Sequence, residues 1–174
     1  MHPYPRKLEQ TVTLRDGRAV KLRPIRPDDA GALQRGFAQM TADDRHMRMF
    51  ATMRELGDEL ARRFATIDYD RDMCLIVEDP DHPGEMYGGA RIAIASDSAS
   101  AEYSVSIRSD QHGRGIGAVT LQKVLDYARS RGVPRVWGIV LRENAGMRSL
   151  ARRLGFREEH DPDDPTCVRT VKDL

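Results

Sequence analysis

The residues best suited to chemistry lie between Ile107 and Ala118, in the run Ile-Arg-Ser-Asp-Gln-His-Gly-Arg-Gly-Ile-Gly-Ala. Gly113, Gly115 and Gly117 recur at every second position, after an alternating stretch and before an amphipathic one. Glycines let a backbone approach a ligand closely and adopt positive φ. The first N–H groups of a helix lack internal partners and lie at the positive end of its dipole. A strand, a glycine turn and a helix in that order therefore build a site for a phosphate or diphosphate. The same pattern also serves as a purely structural turn. No Gly-Lys-Ser/Thr follows, so this is not a Walker loop. The alternate-glycine spacing, after strands that read as antiparallel, also departs from the dinucleotide fingerprint.

The elements that must position this loop are legible from periodicity. Residues 11–25 alternate around Asp16-Gly17 and read as a β-hairpin. Pro27, Asp28 and Asp29 are placed to cap and charge a helix start, and Ala30, Leu33, Phe37 and Met40 follow at helical spacing. Thr41 begins a second helix leading to Met47 and Phe50, and a third spans about Glu55 to Ile67. Residues 73–79, 85–96 and 101–109 read as three consecutive antiparallel strands, since the turns between them are short. Strand alternation puts Glu102, Ser104 and Ser106 on one face, and Tyr103, Val105 and Ile107 on the other. A helix over 119–132 carries the apolar stripe Val119, Leu121, Val124, Leu125 and Ala128. A buried-type strand over 135–141, a helix ending at Gly155 and two late strands complete the chain. The strand–helix–strand unit predicts one parallel strand pair in an otherwise largely antiparallel sheet. The expected class is α+β, one domain over residues 1–174, with 1–10 as a polar lead-in.

Composition bounds the function. The chain has 174 residues, and its 28 Lys+Arg against 27 Asp+Glu give a net charge of +1. A general nucleic-acid binder shows a basic excess or stripe, so nucleic acid is not an expected partner. A chain of this length buries roughly 70% of its unfolded surface, enough for one core without disulfides. Cys74 and Cys167 are far apart, no apolar run approaches a membrane span, and no signal-peptide core precedes residue 10. These features predict a cytoplasmic protein without a membrane partner. His46, His82 and His160 show no metal-ligand spacing, so no metal site is expected. Of the 28 basic residues 24 are Arg, which codon usage explains as readily as anion handling.

The stretch His112-Gly-Arg-Gly-Ile-Gly117 resembles the acyl-CoA diphosphate loop of the GNAT acetyltransferases, Gln/Arg-x-x-Gly-x-Gly/Ala. His112 stands where that family usually has Gln or Arg, with Gln111 one residue earlier. Downstream, Asn144 followed by a helix ending in Leu154-Gly155-Phe156 is similar to the family's second signature. His2 to Pro5, Asp16-Gly17, Arg23 to Ala30 and Ile67 to Asp72 extend the likeness to bacterial Pat-type protein lysine acetyltransferases. The resemblance implies a GNAT fold: a twisted, mostly antiparallel sheet flanked by helices, with acyl-CoA at the splay between central strands. Relatives of this type are often fused to a sensing part, and 174 residues have room for the catalytic domain alone.

By the same resemblance, acetyl-CoA is the expected co-substrate. Backbone groups of Val105, Ser106 and Ile107 would hold the pantetheine arm. The loop from His112 through Gly113, Arg114, Gly115, Ile116, Gly117 and Ala118 would hold the diphosphate. Asn144 and Met147 would contact the cofactor, and Asn144 has a second reading as an N-cap; the two roles can coexist. Transfer is direct in this family, so the acceptor amine must first lose a proton. Glu102 matches the acidic residue of the Pat-type pattern and is the expected general base; its alternative is an exposed strand glutamate. The family's usual tyrosine acid is replaced by Ala151. The acceptor is expected to be a protein lysine, with a small amine as alternative. A non-catalytic acetyl-CoA sensor is the rival from another class. The acidic residues between 158 and 164 suggest either a rim attracting a basic acceptor or a solvated loop. Trp137 reads as strand packing, and the oligomeric state is left open.

Overall fold

In a computed structural model that describes residues 2–49 and 53–174, the alternating stretches form one eight-stranded sheet. Strands β1 (Gln10–Thr13) and β2 (Ala19–Pro24) make the hairpin, which turns through Gly17 at φ +83°. Helices α1 (Ala30–Ala38), α2 (Ala42–Met49) and α3 (Asp58–Ala65) follow. Phe50, expected at the end of the second helix, lies outside the described residues. The antiparallel meander is β3 (Asp72–Glu78), β4 (Met86–Ile94) and β5 (Ala101–Ile107). Then come α4 (Ile116–Ser130), β6 (Arg135–Leu141), α5 (Ala145–Arg153), β7 (Arg157–His160) and β8 (Cys167–Asp173). The spatial order is β1-β2-β3-β4-β5-β6-β8-β7.

β3 shows why its sequence is a continuous apolar run. Met73, Leu75 and Val77 join the core under α4, with Leu121, Val124 and Leu125. Ile76, and Cys74 at its margin, face the opposite side, where they pack with Ile25, Ala65 and Met86 under α1 and α3. A strand covered on both faces has no polar alternation to show. Each fully buried leucine here contributes about 1.5–3 kcal/mol relative to exposure.

Two local expectations are refined. The third helix contracts from about 55–67 to 58–65, because Gly57 and Thr66 both take extended backbone; Leu56 and Ile67 are buried from the flanks instead. Asp29 caps the helix start as expected, but at the 3-10 turn Pro27–Asp29 that leads into α1 rather than at α1 itself. Its carboxylate accepts two hydrogen bonds from the Arg23 guanidinium, both at 2.8 Å, and one from the Arg26 amide at 2.7 Å. Arg23 also donates to both oxygens of Glu78, at 2.9 and 3.0 Å. Burial opposes the charge on Arg23, yet Asp29 and Glu78 outweigh it and raise its pKa. This buried trio ties β2 and β3 to the start of α1.

β5 and β6 are parallel, as the strand–helix–strand unit predicts, but they pair only at Ala101–Val136 and Glu102–Trp137. Beyond that point they diverge. Tyr103 fills the gap: its hydroxyl shares a 2.6 Å hydrogen bond with Thr170 on β8, and its ring lies over Gly138 of β6. A Cβ at Gly138 would come within 2.6 Å of that ring, so only glycine permits the crossing. Burial pushes the Tyr103 phenol up to about 12. The V between the two strands is the feature that positions the site.

Candidate active site

β5 is hydrogen-bonded to β4 along its whole length. The Arg108 amide donates to the Tyr87 carbonyl at 2.9 Å, so it points toward β4. Strand backbone groups alternate in direction. The amides and carbonyls of Val105 and Ile107 therefore point the other way, into the V, where β6 has already turned aside. Their side chains pack toward α4, lying 3.9 and 3.7 Å from where a Cβ on Gly117 would stand. Ser104 and Ser106 occupy the opposite face: the Arg48 guanidinium donates to Ser104 at 3.4 Å, and the Ser106 hydroxyl meets the Met40 sulfur at 3.8 Å. The facial split expected from alternation is the one observed.

The glycine loop closes the open end of the V. Gly113 and Gly115 take φ +75° and +86°, the left-handed region that favours glycine. Gly115 is the N-cap of α4 and offers no side chain to the first-turn amides, and no acidic residue occupies that turn. The amides of Ile116, Gly117 and Ala118 are thus open toward the cleft at the positive helix end. Gly117 has a second role: a Cβ there would come within 3.1 Å of Leu150, so its absence lets α5 pack closely on α4. These features fit a diphosphate without any cationic side chain in first place.

The side chains around the loop take roles that sequence reasoning did not resolve. His112 bonds through Nε2 to the Ile107 carbonyl at 3.0 Å, which requires the Nε2–H tautomer. Gln111 is buried and accepts from Arg18 of the hairpin at 3.1 Å, so its amide is committed to fixing the loop. Arg108 does the same through Asp110 and Glu85. Arg114 does not line the cleft. Asn144 is the N-cap of α5, accepting from the Met147 amide at 3.0 Å, and also borders the cleft. Ala151 is buried in the core and does not reach the cleft.

One cleft of about 430 Å³ joins these parts. Glu102, Val105, Ser106 and Ile107 line it from β5. His112, Gly113, Gly115, Ile116, Gly117 and Ala118 line it from the loop, and Asn144 and Met147 from α5. Glu102 stands at the closed end of the V, exposed to the cleft. Five strand steps separate it from Ile107, about 17 Å at roughly 3.3 Å per residue. Arg15, Asp44, Met47, Arg48 and Arg153 also line the cleft, and no sequence signal singled them out. α2 roofs it: Asp44 accepts a hydrogen bond from Ser109 and lies 3.9 Å from His112, while His46 lies 3.5 Å from Glu143 on the far lip. Only tertiary packing brings α2 there. The residues between 158 and 164 do not line the cleft. Glu158 is held by Arg148 and Arg152, and Asp161 and Asp164 cap their own turns.

Comparison with known proteins agrees with this geometry. The model of the acetyltransferase (GNAT) domain matches residues 19–157. The chain is 32% identical over 161 residues to acetyltransferase PA5475 of Pseudomonas aeruginosa, covering 90% of this chain and 84% of that protein. It is 28% identical over 145 residues to acetyltransferase Pat of Mycolicibacterium smegmatis, covering 83% of this chain but 43% of that longer protein. The GNAT domain of S. lividans PAT superposes with a TM-score of 0.90 at 27% identity, over 99% of this chain and 100% of that one. A mostly antiparallel sheet splayed between β5 and β6, closed by a glycine loop at a bare helix N-terminus, and a matching family model together show that this chain belongs to the GNAT acetyltransferase family and is an acyltransferase.

Proposed function

We propose that the protein transfers an acetyl group from acetyl-CoA directly to a primary amine, with a protein lysine as the acceptor. The observation that carries this reading is the alignment of three features along one cleft: open α4 amides, a β5 edge that no longer pairs with β6, and a carboxylate at the closed end. The α4 amides hold the diphosphate, and the Val105 backbone groups and the Ile107 amide hold the pantetheine arm by extending the sheet, the Ile107 carbonyl being engaged by His112. The thioester then lies toward Glu102.

The Glu102 carboxylate accepts a proton from the acceptor ammonium, directly or through one water. The freed nitrogen lone pair attacks the thioester carbonyl carbon, the C–S bond breaks, and the thiolate leaves with the electron pair and takes up, directly or through water, the second proton released by the amide nitrogen. No residue at position 151 donates to it, since Ala151 is buried away from the cleft. A CoA thiolate is a good enough leaving group for this to proceed. The likeness to the PAT domain supports a lysine acceptor. Mass spectrometry of lysates incubated with labelled acetyl-CoA tests it. The expected result is label on specific lysines with active protein and none with a Glu102→Gln variant. Label confined to small amines would overturn the lysine acceptor.

A further inference from the structure

Arg48 is the least explained charged side chain at the cleft. It extends from α2 toward β5, and its one side-chain hydrogen bond among the described residues is the long contact to Ser104. The other ion pairs of α2 run from His46 to Glu143 and from Asp44 to His112; Arg48 makes none among the described residues. Its neighbour Arg91 is already paired with Asp72. Its side chain is half-buried, and a guanidinium partly drawn out of water loses hydration that no contacting anion here replaces. Burial and the like charge of Arg91 lower the Arg48 pKa, opposed by the Glu102 carboxylate.

Its position is specific. Ser104, which it touches, is the next residue on the same strand face as Glu102, about 7 Å along β5. Arg48 also lines a second, apolar cavity of about 110 Å³ under α1 and α3, walled by Phe37, Leu56, Phe64 and Ile76. The two cavities share Met40, Arg48, Ser104 and Ser106. An acceptor whose amine reaches Glu102 thus passes a guanidinium fork at the boundary between a polar and an apolar space.

We propose that Arg48 is a specificity-determining residue that binds a carboxylate of the acceptor, beside the amine that Glu102 deprotonates. A guanidinium presents two parallel N–H donors that match a carboxylate, which a lysine ammonium does not. The bound carboxylate supplies the contacting anion that Arg48 lacks among the described residues, Glu102 acting on it only from beyond ion-pair distance. This rests on the acyl-transfer reading for the identity of the amine site. The carboxylate can be the α-carboxylate of a free amino acid or the side chain of an acidic residue next to a target lysine.

The test compares matched acceptors with the full chain. One arm uses the standard L-amino acids, each against its α-amide. The other uses lysine peptides with Glu or Gln flanking the lysine. Wild type is expected to favour the carboxylate member by at least about tenfold in kcat/KM in one arm, which names the source. The ratio falls to near one in Arg48→Gln, mainly through KM, and is partly kept in Arg48→Lys. Equal use of carboxylate and amide acceptors by wild type overturns the proposal, as does a ratio that survives in Arg48→Gln. If no acceptor is acetylated at all, the acyl-transfer reading fails instead. Calorimetry then decides the carboxylate question: N-acetyl amino acids and their amides are titrated into the protein with CoA. A tenfold difference lost in Arg48→Gln supports it, and equal affinities overturn it.

Discussion

Glu102 faces open cleft, while Arg48, reaching from α2 to Ser104 on the same strand face as Glu102, is half-buried; the proposed chemistry of the closed end rests on that pair. Asp79, elsewhere on the sheet, shows how local donors fix a charge. The Tyr87 hydroxyl donates to it at 2.7 Å and the Asp81 amide at 2.9 Å, and these hold its carboxyl at about 2. A carboxyl with a folded pKa below its unfolded value contributes stability above the unfolded value, near 3.8, and loses it as pH falls toward 2. In Tyr87→Phe, NMR titration should find the Asp79 midpoint moved up toward 3.8; an unchanged midpoint would remove the hydroxyl as the main cause. His112 and Gln111 show what residue types alone hide. His112 stands at the position where the resembled family has Gln or Arg and Gln111 one residue before it, yet one bonds the Ile107 carbonyl and the other Arg18. Those partners come from other elements, so no spacing rule announced them.

At the scale of elements, the order of strands and helices was legible because periods of 2 and 3.6 survive in each segment. The glycine loop and Asn144 were legible because a turn and a cap demand particular residues. Two things were not. β8 slips between β6 and β7, a pairing set by non-local contacts. α2, a short polar helix, crosses above the V and brings Asp44 and Arg48 to the cleft, a placement its own pattern does not contain. The V itself depends on Gly138. Gly138→Ala forces the Tyr103 ring aside, and overpacking of this kind costs typically about 1–3 kcal/mol. Denaturant unfolding should register that loss, together with a perturbed Tyr103 signal. A neutral outcome would mean the ring does not set the divergence. At the sheet's other end, Arg23→Ala leaves Asp29 and Glu78 buried without their cation. Removing one partner of such a group destabilises by about 3–5 kcal/mol, read in the same experiment.

At the scale of the molecule, the anion site proposed for this near-neutral chain is made of backbone amides rather than of a basic surface. Ligand that binds only the folded state stabilises it, by about 2.7 kcal/mol at a hundredfold excess over Kd. For a chain of this size that is a rise in Tm of roughly 5–10 °C with acetyl-CoA. Gly115→Ala should reduce the rise, since its φ of +86° is strained for any side chain and the loop amides would turn away. The central claim is that Glu102 takes the proton from an amine at the end of a cleft that binds acetyl-CoA without it. The most direct test measures kcat and acetyl-CoA affinity together in Glu102→Gln. The account predicts a fall in kcat of about 10²–10⁴-fold with the affinity unchanged. Full turnover in that variant would contradict it.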